Sequence, residues 1–202
     1  MFWTAMRNPR RLVPRWALGA LCVLAFSAWW MWPVIAGHDD RLDVLSASDP
    51  LLTRAERPLA TYVRDIGQSF RRAAPDATSC NVVQLAAEIE RRDPQAVVLA
   101  SAVNGCDLRE FVATLRREHR TVVIVLEPGV PADAAPFGAR VVDSGLLVGV
   151  EPASTSRPCE WWDRETSGPC ADDGEALVRD ASGVITSRGF DRIGRAVAAR
   201  LR

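Results

Sequence analysis

The chain has 202 residues, with 25 basic side chains balanced by 25 acidic ones, so its formal net charge is zero. Beyond an apolar N-terminal segment, about 160 residues remain, which is enough for one domain with its own core. No basic stripe runs through that part of the sequence, which argues against nucleic acid as a partner.

The first predicted element is a membrane anchor at residues 16–37. This run carries no charged side chain, and a helix of that length crosses a bilayer core of ~30 Å at ~1.5 Å per residue. Arginines precede the run and aspartates follow it closely: Arg7, Arg10, Arg11, Arg15, Asp39, Asp40 and Asp43. The positive-inside rule then predicts a cytoplasmic tail at 1–15 and an extracytoplasmic domain at 38–202.

A cleavable signal peptide is the alternative interpretation of the same segment. Val34 to Ala36 would then hold the cleavage site. The apolar run is longer than the ~7–15 residues of a usual signal-peptide core. We therefore expect a retained anchor and a single-pass protein of the cell membrane.

After the anchor, apolar runs alternate with amphipathic segments. Leu42–Ser46 predicts a first strand, and Leu51–Ala73 predicts a helical region that is interrupted near Pro58 and has room for a second strand at its end. Asn81–Arg92 has apolar residues at helical spacing, which predicts a helix. Ala96–Ala100 is a short apolar run typical of a buried parallel strand.

The same alternation continues to the end of the sequence. Asp107–Arg120 predicts a helix with Asp107 as its N-cap, and Thr121–Leu126 predicts a strand because its β-branched residues suit a sheet covered on both faces. A loop is predicted over 128–138 and a further strand over 141–150. The last helix is predicted from Ser187, with these apolar side chains on its buried face: Phe190, Ile193, Val197 and Leu201.

Strands that alternate with one-sided helices form βαβ units and a mainly parallel sheet. Right-handed crossovers place helices on both faces of such a sheet, so we predict a three-layer α/β/α domain. Ligands of these folds bind beyond the C-terminal ends of the strands. Here those ends are Ser46–Asp49, Ser101–Cys106 and the loop after Leu126, which are the candidate ligand-binding loops.

The cysteines favour disulfides. Cys22 lies in the predicted anchor, and the other cysteines lie in the part placed outside the membrane: Cys80, Cys106, Cys159 and Cys170. An even number in an oxidising compartment fits disulfides, and three pairings are possible. Zinc binding is the alternative, but no Cys-x-x-Cys motif occurs, and the two histidines are far in the sequence from both cysteine pairs. We expect neither a metal nor a cofactor.

The candidate loops carry residue types that occur together in one enzyme family. Ser48 and Asp49 follow the first strand, Asn104 follows a later strand, and Asp180 precedes the last helix. This layout resembles the SGNH (GDSL-type) hydrolase family, whose sheet is flavodoxin-like. In that family a Ser attacks an ester, a Gly and an Asn bind the oxyanion, and an Asp-x-x-His motif supplies the base and its orienting acid. The resemblance implies that these four residues are the catalytic candidates.

The cysteines extend the resemblance to membrane-anchored, extracytoplasmic SGNH-like domains of high-GC bacteria. Such domains have a Cys after the second strand, a Cys after the Asn block and a late Cys pair around Trp and Asp. The resemblance, which covers roughly residues 42–201, therefore implies the disulfides Cys80–Cys106 and Cys159–Cys170.

The chain departs from the family pattern at its catalytic motifs. No Gly-Asp-Ser occurs, and Gly183 stands where the Asp-x-x-His motif would place its base. His119 is predicted to end a helix on the wrong side of the sheet, and His38 is predicted to lie at the membrane surface. Since an activated Ser needs a base within hydrogen-bond reach, we expect a catalytically degenerate domain.

Such a domain would bind or organise envelope glycans, acylated ligands or protein partners. The alternative is an active acyl-ester hydrolase or acyltransferase on envelope glycans or lipids. It would use Ser48 and Asn104, with a carboxylate such as Asp163 or Asp180 as its base. A purely structural domain with a closed cleft is a third interpretation.

Trp161 and Trp162 lie between the late cysteines and have two interpretations. One ring packs against the nearby disulfide and covers the sheet edge, or an exposed ring stacks on a sugar or acyl chain. Asp163, Asp172 and Asp173 lack the alternating spacing of a calcium loop, which favours a solvated polar loop.

Overall fold

The computed structural model describes residues 42–101, 107–150, 155–161, 170 and 174–202. The predicted anchor at 16–37 lies outside these described residues. Within them, none of the helices has both the length and the apolar character that crossing a bilayer requires.

Five parallel strands form the main sheet, in the order β2-β1-β3-β4-β5. β3 and β4 pair along their whole length, from Ala96 opposite Thr121 to Ser101 opposite Leu126. The strands are β1 (Val44–Ser46), β2 (Phe70–Arg72), β3 (Ala96–Ser101), β4 (Thr121–Leu126) and β5 (Arg140–Asp143). The sequence prediction of an α/β fold around a parallel sheet is confirmed.

Helices connect the strands, and a two-stranded antiparallel hairpin precedes the last helix. The described helices are α1 (Pro50–Arg54), α2 (Glu56–Asp65), α3 (Val82–Arg92), α4 (Arg109–Arg117), α5 (Ser144–Val148) and α6 (Ser187–Leu201), with a 3-10 turn at Ala132–Ala134. The hairpin consists of β6 (Thr155–Pro158) and β7 (Glu175–Arg179).

The strand order determines on which face each helix lies. The chain moves from β1 to β2 in one direction, and from β2 to β3 and β4 in the other. Right-handed crossovers therefore place α2 on one face and α3 and α4 on the opposite face. The terminal helix α6 packs against α2.

Helix α3 has clear local determinants. Asn81 caps it by accepting a hydrogen bond from the N–H of Gln84, and the helix ends at Asp93, whose φ is 45°. Its buried Glu88 accepts hydrogen bonds from Arg92 and Arg91. Burial alone would raise the pKa of Glu88, but these bonds and charges outweigh it and hold the pKa below its ordinary value.

Helix α6 approaches its neighbours so closely that two positions require glycine. A Cβ on Gly194 would lie 2.9 Å from the carbonyl carbon of Pro58 in α2. A Cβ on Gly189 would lie 2.6 Å from the carbonyl oxygen of Val178 in β7. These contacts place α6 directly over α2 and beside the hairpin.

The helical region at 51–73 is interrupted near Pro58, as predicted. The break falls at Ala55, and Pro58 lies in the first turn of α2, where its missing N–H removes no helical hydrogen bond. One predicted helix boundary is wrong. Asp107 is not the N-cap of α4, because Leu108 occupies that position. The carboxylate of Asp107 instead accepts a hydrogen bond from the N–H of Arg109 at 3.0 Å.

The strand predicted over 141–150 is also shorter than expected. β5 ends at Asp143, whose side chain accepts a hydrogen bond from the N–H of Leu146 at 3.2 Å. This N-cap starts α5, so residues 144–148 are helical. The apolar run fits a buried short helix as well as it fits a strand.

Candidate functional site

The predicted site lies at the carboxyl edge of the sheet, where the strand order reverses between β1 and β3. Connections from these strands leave in opposite directions, so a crevice forms at such a switch point. The β1 loop is held there by its backbone, since the N–H of Ala47 donates to the carbonyl of Val98 at 2.9 Å. The loop carries Ser48 and Asp49.

The hydroxyl of Ser48 makes a hydrogen bond within the protein. Its Oγ donates to the carbonyl of Ala73 at 2.7 Å, and its N–H donates to the carbonyl of Ala77 at 3.1 Å. A serine becomes a nucleophile when a neighbouring base accepts its proton. In the described part of the chain, the partner of this hydroxyl is a carbonyl rather than a base. The half-buried oxygen keeps lone pairs that can accept a hydrogen bond from a ligand.

Asp49 forms a buried network with a serine of another loop. Its carboxylate accepts hydrogen bonds from the N–H of Ser79 at 3.1 Å and from its hydroxyl at 2.5 Å. The oxygen of Ser79 in turn accepts from the N–H of Ala100 at 3.0 Å. Ser79 is fully buried and Asp49 is 9% exposed. The network joins the loops after β1 and β2 to the end of β3.

The carboxylate of Asp180 accepts hydrogen bonds from residues of its own turn. Its carboxylate accepts from the hydroxyl of Ser182 at 2.6 Å, the N–H of Ser182 at 2.9 Å and the N–H of Val184 at 3.0 Å. The hydroxyl of Ser182 contributes most to holding the pKa of Asp180 below its usual 3.8, followed by the N–H of Val184. Among the described residues, none of these bonds reaches Ser48 or Asp49.

The histidines do not complete the site within the described part of the chain. His119 lies between the end of α4 and the start of β4, with a φ of 61°. It is therefore at the amino edge of the sheet, whereas Ser48 lies at the carboxyl edge. His38 lies outside the described residues, as do Asn104 and Asp163.

A disulfide closes the connection between the two strands of the hairpin, β6 and β7. Cys159 and Cys170 are bonded, with their Cα atoms 6.2 Å apart, which confirms this predicted pair. Cys80 is also disulfide-bonded, and the cysteine joined to it lies outside the described residues. Its pairing with Cys106 stays a prediction.

Trp161 is exposed, with 69% of its surface accessible. The guanidinium carbon of Arg195 on α6 lies 5.5 Å from its ring centre, within the range of a cation–π contact. The outer part of the ring is free to meet a ligand. Trp162 lies outside the described residues.

Ser79 is the site residue that sequence reasoning missed. It stands in the polar stretch Thr78-Ser79-Cys80, where a serine has no distinctive local pattern. Its importance arises from contacts with residues 30 and 21 positions away in the sequence. The neighbouring cysteine was the one signal that this loop is held in place.

Comparisons of the chain with protein-family models, with curated proteins and with solved structures find no match. The fold and the hydrogen bonds described above are therefore the basis for a functional proposal.

Proposed function

We propose that this chain is an SGNH-like domain that does not hydrolyse esters and instead binds a ligand at the cell envelope. One observation carries the proposal. The hydroxyl of Ser48 donates to the carbonyl of Ala73 rather than to a base. A serine whose proton is held by a backbone carbonyl is not activated for attack.

The carboxylates nearby support the same proposal. A general base must be free to accept a proton from the nucleophile. Asp49 accepts two hydrogen bonds from Ser79, and Asp180 accepts its hydrogen bonds from its own turn. The alternative, an acyl-ester hydrolase or acyltransferase that uses Ser48 and Asn104, requires one of these groups to leave its partners, or a base outside the described residues such as Asp163.

The position of Ser48 supports a binding role. The order 2-1-3-4-5 is that of flavodoxin-like sheets, whose ligands bind at the switch point that here carries Ser48. The Cys159–Cys170 disulfide fits an oxidising compartment, as does the predicted anchor. Envelope glycans fit best, because they offer hydroxyl donors to Ser48 and sugar faces to an exposed indole such as Trp161.

The proposal is tested by comparing the full chain with Ser48→Ala. Release of nitrophenol from p-nitrophenyl acetate and of acetate from acetylated cell-wall glycan is measured for both. We expect both proteins to match a buffer blank. Ser156→Ala, which alters an exposed serine of β6, is the matched control.

Hydrolysis by the wild type that falls by about 10³-fold or more in Ser48→Ala but not in the control contradicts the proposal, because that loss is typical of a removed nucleophile. Binding is read from co-sedimentation with insoluble cell-wall glycan. We expect the wild type to co-sediment and Ser48→Gln, which fills the switch point, to remain in solution with a circular-dichroism spectrum like that of the wild type. A wild type that stays in solution contradicts the glycan assignment.

A further inference from the structure

Two grooves of opposite charge flank helix α4, on the face of the sheet covered by α3 and α4. One lies between α4 and the loop that joins β4 to β5. The other lies between α4 and α3. Neither is lined by residues of the carboxyl-edge site, so they call for a separate explanation.

The basic groove, of about 640 Å³, is defined by Arg109, Arg116, Arg117, Asp133 and Phe137, with alanines and a proline between them. In the described part of the chain, none of its three arginines forms an ion pair with a carboxylate. Asp133 is its single carboxylate, so the groove carries a net positive charge.

Phe137 projects from this groove and is 96% exposed. The next residue, Gly138, has a φ of 87°, and a Cβ there would lie 1.8 Å from a terminal nitrogen of Arg116. The guanidinium of Arg116 therefore rests on the glycine that follows Phe137 in the sequence, and the side chains of Arg116 and Phe137 both line the groove. An exposed aromatic ring next to unpaired guanidinium groups is typical of an interface residue rather than of a solvated loop.

The acidic groove, of about 350 Å³, has an apolar floor and an acidic rim. The floor consists of Val82, Ala86, Ile89, Phe111 and Leu115, and the rim consists of Glu90, Asp107, Glu110 and Glu118. Glu118 shares its charge with Arg120 at 3.0 Å. No basic residue lines this groove among the described residues, so its net charge is negative.

Basic residues of one groove and acidic residues of the other lie at the same positions along the axis of α4. Arg109 stands at the amino end of the helix, as do Asp107 and Glu110 on its other side. Arg116 stands at the carboxyl end, opposite Glu118. A twofold rotation about an axis parallel to α4 exchanges the two sides of the helix and preserves the height of each residue.

We infer that this face is a homodimer interface, in which the basic groove and Phe137 of each copy dock into the acidic groove of the other. Both contacts form at once, as an isologous twofold interface requires. Phe137 enters the apolar floor while guanidinium groups meet carboxylates at both ends. Small side chains, Ala113 and Thr114, lie midway along α4 and allow the two helices to approach at the axis.

The inference is tested with two charge-reversed variants of the full chain. One variant carries Arg109→Glu with Arg116→Glu, and the other carries Glu90→Arg with Glu110→Arg. All four positions are exposed. Sedimentation equilibrium over a range of concentrations gives the dimer dissociation constant of the wild type, of each variant and of their equimolar mixture.

We expect the wild type to dimerise and each reversed variant alone to raise the dissociation constant by at least about tenfold, because like charges then face each other. The mixture is expected to dimerise again, since the reversed groove of one variant meets the reversed groove of the other and the two native grooves meet as well. This rescue excludes misfolding as the cause of the loss.

Phe137→Ser provides a second test, with Val83→Ser as its control, because Val83 is 75% exposed on α3 and lines neither groove. We expect Phe137→Ser alone to weaken the dimer.

Three outcomes overturn the inference: a monomeric wild type, a mixture that stays monomeric, or reversed variants that dimerise like the wild type. If no dimers form, and the wild type and Glu90→Arg with Glu110→Arg prefer anionic over neutral vesicles whereas Arg109→Glu with Arg116→Glu does not, the basic groove would be assigned to a membrane surface instead.

Discussion

The buried pair of Asp49 and Ser79 is where single side chains matter most to the candidate site. Each bond of the pair crosses between segments that are distant in the sequence. Because a buried carboxylate without partners is costly, the serine hydroxyl and the N–H beside it are what allow Asp49 to remain in the interior.

Removing the Ser79 hydroxyl should therefore destabilise the protein. In Ser79→Ala, one donor to the Asp49 carboxylate and the acceptor for the N–H of Ala100 are lost together. We expect the free energy of unfolding to fall by about 1–3 kcal/mol, the usual cost of unsatisfied buried polar groups. Urea unfolding followed by circular dichroism measures it.

Ser48→Ala is the matched control, because its half-buried hydroxyl makes one hydrogen bond, to the carbonyl of Ala73. Ser48→Ala removes this one hydrogen bond and leaves the carboxylate of Asp49 with its partners, so the expected loss is about 1 kcal/mol or less. Equal losses in the two variants would contradict a special role for the Ser79 network.

At the scale of elements, the contact between α2 and α6 depends on the absence of side chains. Gly194 lies against the backbone of Pro58, which cannot move without shifting α2. In an ordinary helix, alanine would be favoured over glycine by about 1 kcal/mol. Close packing opposes that preference here.

We expect Gly194→Ala to lower the free energy of unfolding by about 1–3 kcal/mol, because overpacking outweighs the gain in helix propensity. Thermal unfolding measures the change. Ala199→Ser adds a single atom to the exposed face of the same helix and should leave stability nearly unchanged. A more stable Gly194→Ala protein would show that α6 can move away from α2.

The connection between β4 and β5 leaves part of the face that carries α3 and α4 uncovered. It contains a 3-10 turn at Ala132–Ala134 instead of a full helix. The flank of α4 is therefore left uncovered, which is why Arg109, Arg116 and Phe137 are accessible to a second copy.

For the molecule as a whole, the hairpin and its disulfide hold the C-terminal part on the domain. Arg192 of α6 donates to the carbonyl of Pro158 at 2.8 Å, and Arg179 of β7 donates to the carbonyl of Val148 at 3.0 Å. The disulfide closes the chain between Cys159 and Cys170. These bonds join segments that are separate in the sequence.

Loss of that disulfide should destabilise the domain through its unfolded state. The double variant Cys159→Ser with Cys170→Ser releases a loop with a sequence separation of 11 residues. We expect the free energy of unfolding to fall by about 3 kcal/mol, the loop-closure entropy for a loop of this size. Urea unfolding without reductant measures it, and Ser156→Ala, at an exposed position of β6, is the control. An unchanged midpoint would contradict the prediction.

Local sequence patterns were sufficient to predict the architecture. The β-branched run at 121–126 and the apolar spacing at 81–92 show which side chains are buried. Each pattern lies within a short stretch of the sequence, and such local patterns distinguish a strand from a helix. The same patterns placed Ser48 and Asp49 at the carboxyl edge of β1. They could not distinguish strand from helix at 144–148, because a short apolar run suits both.

The tertiary structure alone decided which groups meet. Ser79 joins Asp49 to β3, and the guanidinium of Arg116 lies against Gly138, through contacts between distant segments that no local periodicity records. The physical reason is that buried side chains recur at a regular spacing along a helix or a strand, so the sequence shows them. Hydrogen bonds and charge pairs between distant segments depend instead on the order of the strands and the direction of their crossovers.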